Sequence, residues 1–250
     1  MKTLSAIVIT FNVEQHIEPC LSSLGFADEI IVIDSGSTDR TAEIAGRFTK
    51  HVHVTEWQGY AEAKQYALNK AAGKWVLWVD ADERVPGPLA REIRDILQTE
   101  PEHAGYRVAR KAFFLGKWIR HGGWYPGYVV RLFRRGCGRF NAARVHENLI
   151  IDGSVGTLKT PMLHYTDDSI DHYFNKFNKY TKLAADDLHE RGRRARLGDM
   201  LFRPLHMFFK MYVFRLGLLD GIEGFLLAVF SSHYVFVKYA KLWEVKKQTG

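Results

Sequence analysis

Two aspartates one residue apart, Asp80 and Asp82 in WVDADE, are the residues of this 250-residue chain whose types and spacing point most directly to chemistry. Along an extended stretch alternate side chains face the same side, so the pair can present two carboxylates together, as a hard cation and a diphosphate require. Magnesium or manganese bridging the phosphate oxygens would act as a Lewis acid on charge developing at a leaving nucleoside diphosphate. D-x-D alone is a weak signal; its weight comes from its company. Thr10 and Asn12 in ITFN and Asp34 in IDSGSTD each follow an apolar run, as Asp80 does. Asp39 is explained as a helix cap, whereas Asp34 closes its run, where a carboxylate can accept hydrogen bonds from a base or ribose. Lys64, on a helical pattern after Gly59, can reach a phosphate.

The elements that must position these residues are read from apolar patterning. Strands are expected at residues 4–10 (LSAIVIT), 29–34 (EIIVID), 51–55 and 75–80 (WVLWVD). The first, second and fourth are near-continuous apolar runs, as buried parallel strands require. Helices are expected between them: one starting at Asn12 with its side chain as cap, one after Ser37, Thr38 and Asp39, and one over 60–72 ending at Gly73 as C-cap. The pattern is α/β, a mostly parallel sheet with helices on both faces, and in such sheets ligands sit beyond the carboxyl ends of the strands. PGPLAREIRDIL adds a helix and GYRVAR a strand; residues 113–139 read as irregular or antiparallel over the sheet end, and helix dominates from Asp167. The expected division is 1–165, with a donor half to about 105 and an acceptor half after it, followed by a helical appendage over 166–250.

Apolar residues at 46% and charged residues at 25% are those of a folded chain with a sizeable core. Net charge of +7 calls for an acidic partner. Residues 106–140 hold nine arginines and lysines and no acid, a one-sided block better explained by an anionic ligand than by a solvated face. Nucleic acid is set aside, since no recognition motif accompanies the charge. Residues 224–237 (GFLLAVFSSHYVFV) carry no Asp, Glu, Lys or Arg, fewer than the ~20 apolar residues a spanning helix needs. With basic flanks, they suit a helix lying in an anionic membrane surface; a core helix, or a contact making a homo-oligomer, fits equally. The opening MKTLSAIVITFN reads as a buried strand rather than a secretory signal, so a cytoplasmic place, peripheral on the inner membrane, is expected. Cys20 and Cys137 suggest neither a disulfide framework nor a zinc site.

AIVITFNVEQHIEPCLSSL, ADEIIVIDSGSTDRT, WQGYAEAKQYAL, WVLWVDADERV, GKWIRHGGWYP, RLFRR, VHENL and LDGIEGFLLA together resemble the family 2 glycosyltransferases of the inverting GT-A fold, close to the lipopolysaccharide-core glucosyltransferases. The resemblance covers most of the chain. It implies a nucleotide pocket including Thr10, Asn12, Asp34 and Lys64, a diphosphate and metal motif at Asp80 and Asp82, and His164 as a further metal ligand. It also implies a hexose, glucose by the family's habit, moving from a UDP-sugar to a phosphorylated glycolipid, the inner core of a lipopolysaccharide precursor. Inversion by single displacement needs a base for the acceptor hydroxyl, and Glu147, with His146, is the candidate. Nearby arginines would keep Glu147 ionised. Acceptor candidates are Trp124 and Tyr125, as flat faces for a sugar ring, with Arg120 and Arg131 for its phosphate. One departure bears on the base: Gly127 stands where relatives are expected to carry aspartate. A phosphatase of the haloacid dehalogenase type fails because its nucleophile follows the first strand, and a nucleotidyltransferase fails for want of a glycine-rich loop there. A nucleotide-sugar or glycolipid binding protein without turnover, on the same fold, is the remaining rival.

Overall fold

In the computed structural model, residues 2–57, 59–140 and 149–249 are described. Strands β1 (Leu4–Thr10), β2 (Glu29–Asp34), β3 (Val52–Val54) and β4 (Trp75–Asp80) alternate with helices α1 (Glu14–Ser22), α2 (Thr41–Ala45) and α3 (Tyr60–Lys70). Then come β5 (Glu83–Arg84), α4 (Gly87–Gln98), β6 (Gly105–Phe114), β7 (Lys117–Trp118) and β8 (Gly127–Arg134). After these follow β9 (Gly138–Phe140), β10 (Leu149–Ile151), β11 (Val155–Thr157), β12 (Met162–Asp167), and helices α5 (Ile170–Glu190), α6 (Leu197–Phe209) and α7 (Gly221–Thr249).

The chain divides into two compact units, one of residues 1–110 with 128–164, the other of 111–127 with 165–250. Strands β6 and β12 each begin in the first and end in the second. Segment 111–127 therefore belongs with the helices, not with the acceptor half where the sequence suggested it.

In the first unit β1 pairs in parallel with β2 on one side and β4 on the other, and β2 pairs with β3. β8 then pairs antiparallel to β4, so the sheet is mixed, in the order β3-β2-β1-β4-β8-β6-β12-β5. Successive residues of a strand face opposite sides, and both sides are covered. Ala6, Val8, Val32, Leu77 and Val79 pack with Ile17 and Leu21 of α1 and Leu89 and Ile93 of α4. Ile7, Ile31, Ile33, Val76 and Trp78 pack with Ala67 and Leu68 of α3. That is why the strand runs are apolar at consecutive positions.

Two boundaries differ from expectation. Helix α1 begins at Glu14 and is not capped by Asn12, whose backbone is left-handed at φ 50°, a conformation asparagine tolerates. The Asn12 carboxamide oxygen accepts from Thr38 N at 2.8 Å, and the first turn of α1 is served instead by Asp39, whose Oδ2 accepts from Glu14 N at 3.1 Å. Gly73 is not a helix C-cap; α3 ends at Lys70. An added Cβ at Gly73 would stand 2.7 Å from Ser5 N, so the glycine is required by the close crossing of the chain over β1.

In the second unit Phe114, Ile119 and Leu227 form a buried cluster with Trp124, Tyr173 and Phe230 packed around it. Lys117 Nζ donates to Asp220 O and Glu223 Oε2, and His121 N donates to Asp220 Oδ2 at 2.8 Å. Phe177 of α5 stacks on His233 of α7 with centroids 5.2 Å apart. Stretch 224–237 lies inside a 29-residue helix, and Gly217–Val245 is long and apolar enough to cross a membrane by length and composition, contrary to the reading from 224–237 alone. Its inner face serves the unit's own core: Leu227, Ala228, Val235 and Leu242 are buried.

Candidate active site

Strand register brings the predicted polar residues to one edge of the sheet. Thr10 lies opposite Asp34 across β1 and β2, and Ile9, next to Thr10, lies opposite Asp80 across β1 and β4. These are the carboxyl ends of three adjacent parallel strands, where an α/β sheet places its ligands.

At the β2 end, Asp34 is buried and its oxygens already accept from Thr10 Oγ1 at 2.9 Å, Ser37 N at 2.8 Å and Ser37 Oγ at 2.6 Å. The loop is closed further by Asn12 N donating to Ser37 Oγ at 2.9 Å. Asp34 thus acts as a hub that shapes the ITFN and DSGSTD loops against each other, at the strand end where the sequence places an acceptor for a base or ribose. Ser35, not singled out from sequence, has a buried hydroxyl with no hydrogen-bond partner among the described residues.

At the β4 end the chain turns through Ala81 and Asp82 into β5. Glu83 holds this turn: it is fully buried, its Oε2 accepts from Asp80 N at 3.0 Å, and its Oε1 accepts from Arg131 Nη2 at 2.6 Å. The same Nη2 donates to Asp80 Oδ2. One guanidinium therefore bridges two carboxylates. Burial opposes ionisation of Asp80, but the positive charges of Arg131, Lys64 and His164 outweigh it and hold its carboxyl below the usual range. Burial lifts the Glu83 carboxyl above its usual range, with Arg131 opposing and the Asp80 charge adding to the rise. Arg131 itself is driven upward by Asp80 and Glu83 despite its burial.

Arg131, an acceptor candidate by sequence, is 2% exposed and faces the acidic segment. It is the internal counter-charge of the acidic segment. Trp78, two residues before Asp80, lies between cations, with Arg131 Cζ 4.0 Å and Lys64 Nζ 4.2 Å from its ring centroid. Lys64, on α3 and buried, is thereby brought to the acidic segment. Trp78 and Glu83 were missed; the available signal was their position in WVLWVDADE.

Asp82 stays partly open, and His164 of β12, opposite Glu83 in the antiparallel register, brings Nε2 to 3.4 Å from Asp82 Oδ2. No cluster of three or more His, Cys, Asp or Glu suited to a metal occurs among the described residues. A carboxylate and an imidazole still fit a hexacoordinate cation that takes its remaining ligands from phosphate oxygens and water, as magnesium sites commonly do.

The other candidates lie elsewhere. Glu147 and His146 fall outside the described residues. In the second unit Trp124 packs around the Phe114 cluster and Tyr125 meets the edge of Trp118 at 5.5 Å, both half-buried. Arg120 is exposed, its guanidinium 4.3 Å from the Trp118 centroid. Members of the basic block are engaged separately: Arg110 pairs with Glu83 at 3.7 Å, Arg107 donates to Thr157, Arg135 donates to Ala71 O, and Lys117 pairs with Glu223.

The model of Glycosyl transferase family 2 matches residues 5–143. The lipopolysaccharide core biosynthesis glycosyltransferase LpsC of Rhizobium meliloti is 35% identical over 254 residues, spanning 96% of this chain and 92% of that protein. An uncharacterized glycosyltransferase of Rickettsia typhi is 27% identical over 98% of this chain and 88% of its own length. Among solved structures, the mannosyltransferase PcManGT from Pyrobaculum calidifontis, in complex with GDP-Man and Mn2+, aligns with a TM-score of 0.58 at 15% identity, covering 96% of this chain and 87% of that one. That likeness is one of fold.

Proposed function

This chain belongs to the family 2 glycosyltransferases and is a glycosyltransferase on the GT-A fold; from that premise we propose that it moves a hexose, glucose in our reading, from a UDP-sugar to the inner core of a lipopolysaccharide or similar phosphorylated glycolipid, with inversion and with a divalent metal. The observation that carries this reading is the β4 end, where Asp80 is held ionised over Arg131 and Asp82 stands partly open beside His164. The glycolipid acceptor is supported by the likeness to the core glycosyltransferase LpsC, and a peripheral place on the cytoplasmic face of the inner membrane follows from such an acceptor.

The residues divide the work. The Asp34 hub fixes the two loops at the ends of β1 and β2, giving Thr10, Asn12 and Ser35 set positions for the nucleoside. Arg131 and Glu83 fix the turn that displays Asp82, so little reorganisation is needed when the diphosphate arrives. Lys64, held near Asp80, adds positive charge for the phosphates. Asp82 and His164 would hold magnesium or manganese, and the chemistry supplied there is Lewis-acid neutralisation of the departing diphosphate. Glu147, with His146 beside it, takes the proton of the acceptor hydroxyl, and its distinct role is expected to appear in kcat.

The test is release of UDP from a panel of UDP-sugars, with acceptor extract and manganese, and with chelator. Asp82→Asn is expected to lower turnover at least ~100-fold with an unchanged unfolding midpoint, and Glu147→Gln to lower kcat by ~100-fold or more while UDP affinity holds. Turnover indifferent to both chelator and Asp82→Asn would sink the metal assignment, and absence of any acceptor-stimulated UDP release would sink the transfer proposed.

A further inference from the structure

In the second unit, α6 turns an apolar side outward. Leu197, Leu201, Leu205 and Phe209 recur every four residues along one face and are all exposed, with Phe202 beside them at 71%. Exposed apolar residues recur after the helix: Phe214 is 78% exposed and Ile222, at the start of α7, 74%. The helix is not merely inside out, because its other side is buried too, at Pro204, with Ser232 Oγ donating to Pro204 O at 2.8 Å. A helix apolar on both sides faces a second apolar medium on the side its own fold leaves uncovered.

The margin of this surface is basic. Residues 191–216 hold seven arginines and lysines against a single acid, Asp199. Asp199 is engaged by Arg203 Nε at 2.6 Å and by Arg196 N, while Arg193 and Arg194 are exposed just ahead of Leu197.

We propose that α6 and the turn after it seat on an anionic lipid bilayer, with Leu201, Phe202, Leu205, Phe209 and Phe214 entering the acyl boundary and Arg193 and Arg194 at the headgroups. This surface lies on α6, apart from stretch 224–237, whose helix turns Leu227, Ala228 and Val235 into the unit's own core. A second copy of the chain fits less well: a two-fold contact sets the same patch against itself, bringing two basic margins together, whereas anionic lipid answers both the apolar face and the charge. The inference deepens the glycolipid reading and rests on it for the presence of a membrane near the acceptor.

The experiment is sedimentation of the full chain with vesicles of phosphatidylglycerol and phosphatidylethanolamine, against vesicles of phosphatidylcholine alone. The wild type is expected to pellet with the anionic vesicles and not with the neutral ones. Phe202→Ser with Phe214→Ser should weaken partition at least ~10-fold; Arg193→Gln with Arg194→Gln should weaken it and flatten its salt dependence. UDP affinity, a readout of the first unit, should stay at the wild-type value in both. Wild type left in the supernatant with both vesicle types would overturn the proposal. So would a dimer by light scattering that Phe202→Ser with Phe214→Ser turns into monomer without any vesicle binding. Failure of the wild type to bind UDP would count against the donor reading alone and leave the vesicle result to decide this surface.

Discussion

With one guanidinium between two carboxylates, removal of Arg131 takes away the cation that Glu83 and Asp80 share and leaves Glu83 only the longer contact to Arg110 at 3.7 Å, with no route to water at 0% exposure. Breaking a buried pair by deleting one partner costs about 3–5 kcal/mol. Arg131→Met is therefore expected to lower the denaturation midpoint by an amount of that order and to weaken UDP-sugar binding with it. Arg131→Lys should recover only part of this, since an ammonium lacks the planar fork that lets one side chain serve two carboxylates. Chemical denaturation of the three proteins checks it, and an Arg131→Met protein as stable as wild type would mean that Arg131 is not the counter-charge of the acidic segment. Sequence showed the acids, because D-x-D at a strand end is local. It hid their partner: Arg131 lies 51 positions from Asp80 and looked like one more member of a basic block.

At the scale of elements, Glu29 does at the amino ends of the strands what Arg131 does at the carboxyl ends. Its carboxylate opens β2 and accepts from Lys2 Nζ, from Ser5 Oγ of β1, and from Ala72 N at 2.7 Å, ahead of β4. Burial opposes its ionisation, but these donors and the Lys2 charge outweigh it and bring its pKa from 4.5 down to about 2. Because the folded value is the lower one, the stabilisation is fully present above pH 4.5 and is lost as pH falls from there toward about 2. Glu29→Gln is expected to be less stable than wild type at neutral pH, on the order of 2 kcal/mol, with the gap closing through that window. Equilibrium unfolding followed at several pH values checks this; a gap constant with pH would refute it. The strands themselves were legible because burial on both faces leaves a continuous apolar run. The helix starts were not, because the groups that serve α1 come from the β2 loop: Asp39 caps Glu14 N across 25 positions, and no local pattern encodes a donor-acceptor pair made by folding.

At the scale of the whole molecule, the second unit depends on a close approach within its own helical end. An added Cβ at Gly224 would stand 2.0 Å from Gly217 O, so the turn that buries Asp220 seats directly on α7. Gly224→Ala is expected to destabilise this unit by more than ~1 kcal/mol, seen as faster hydrogen exchange in α5 and α7 while β1, β2 and β4 keep wild-type protection; uniform exchange throughout the chain would contradict the division into units. By itself the sequence determined the α/β class, the parallel strands and the acidic pair at the fourth strand end, since each depends on near-neighbour spacing and on whether a stretch is buried on one face or two. Tertiary structure alone decided what the charges do and where the uncovered apolar surface lies. An arginine's role depends on which carboxylate the fold brings to it, and a helix with apolar residues on two sides shows which of them is exposed only once its neighbours have covered the other.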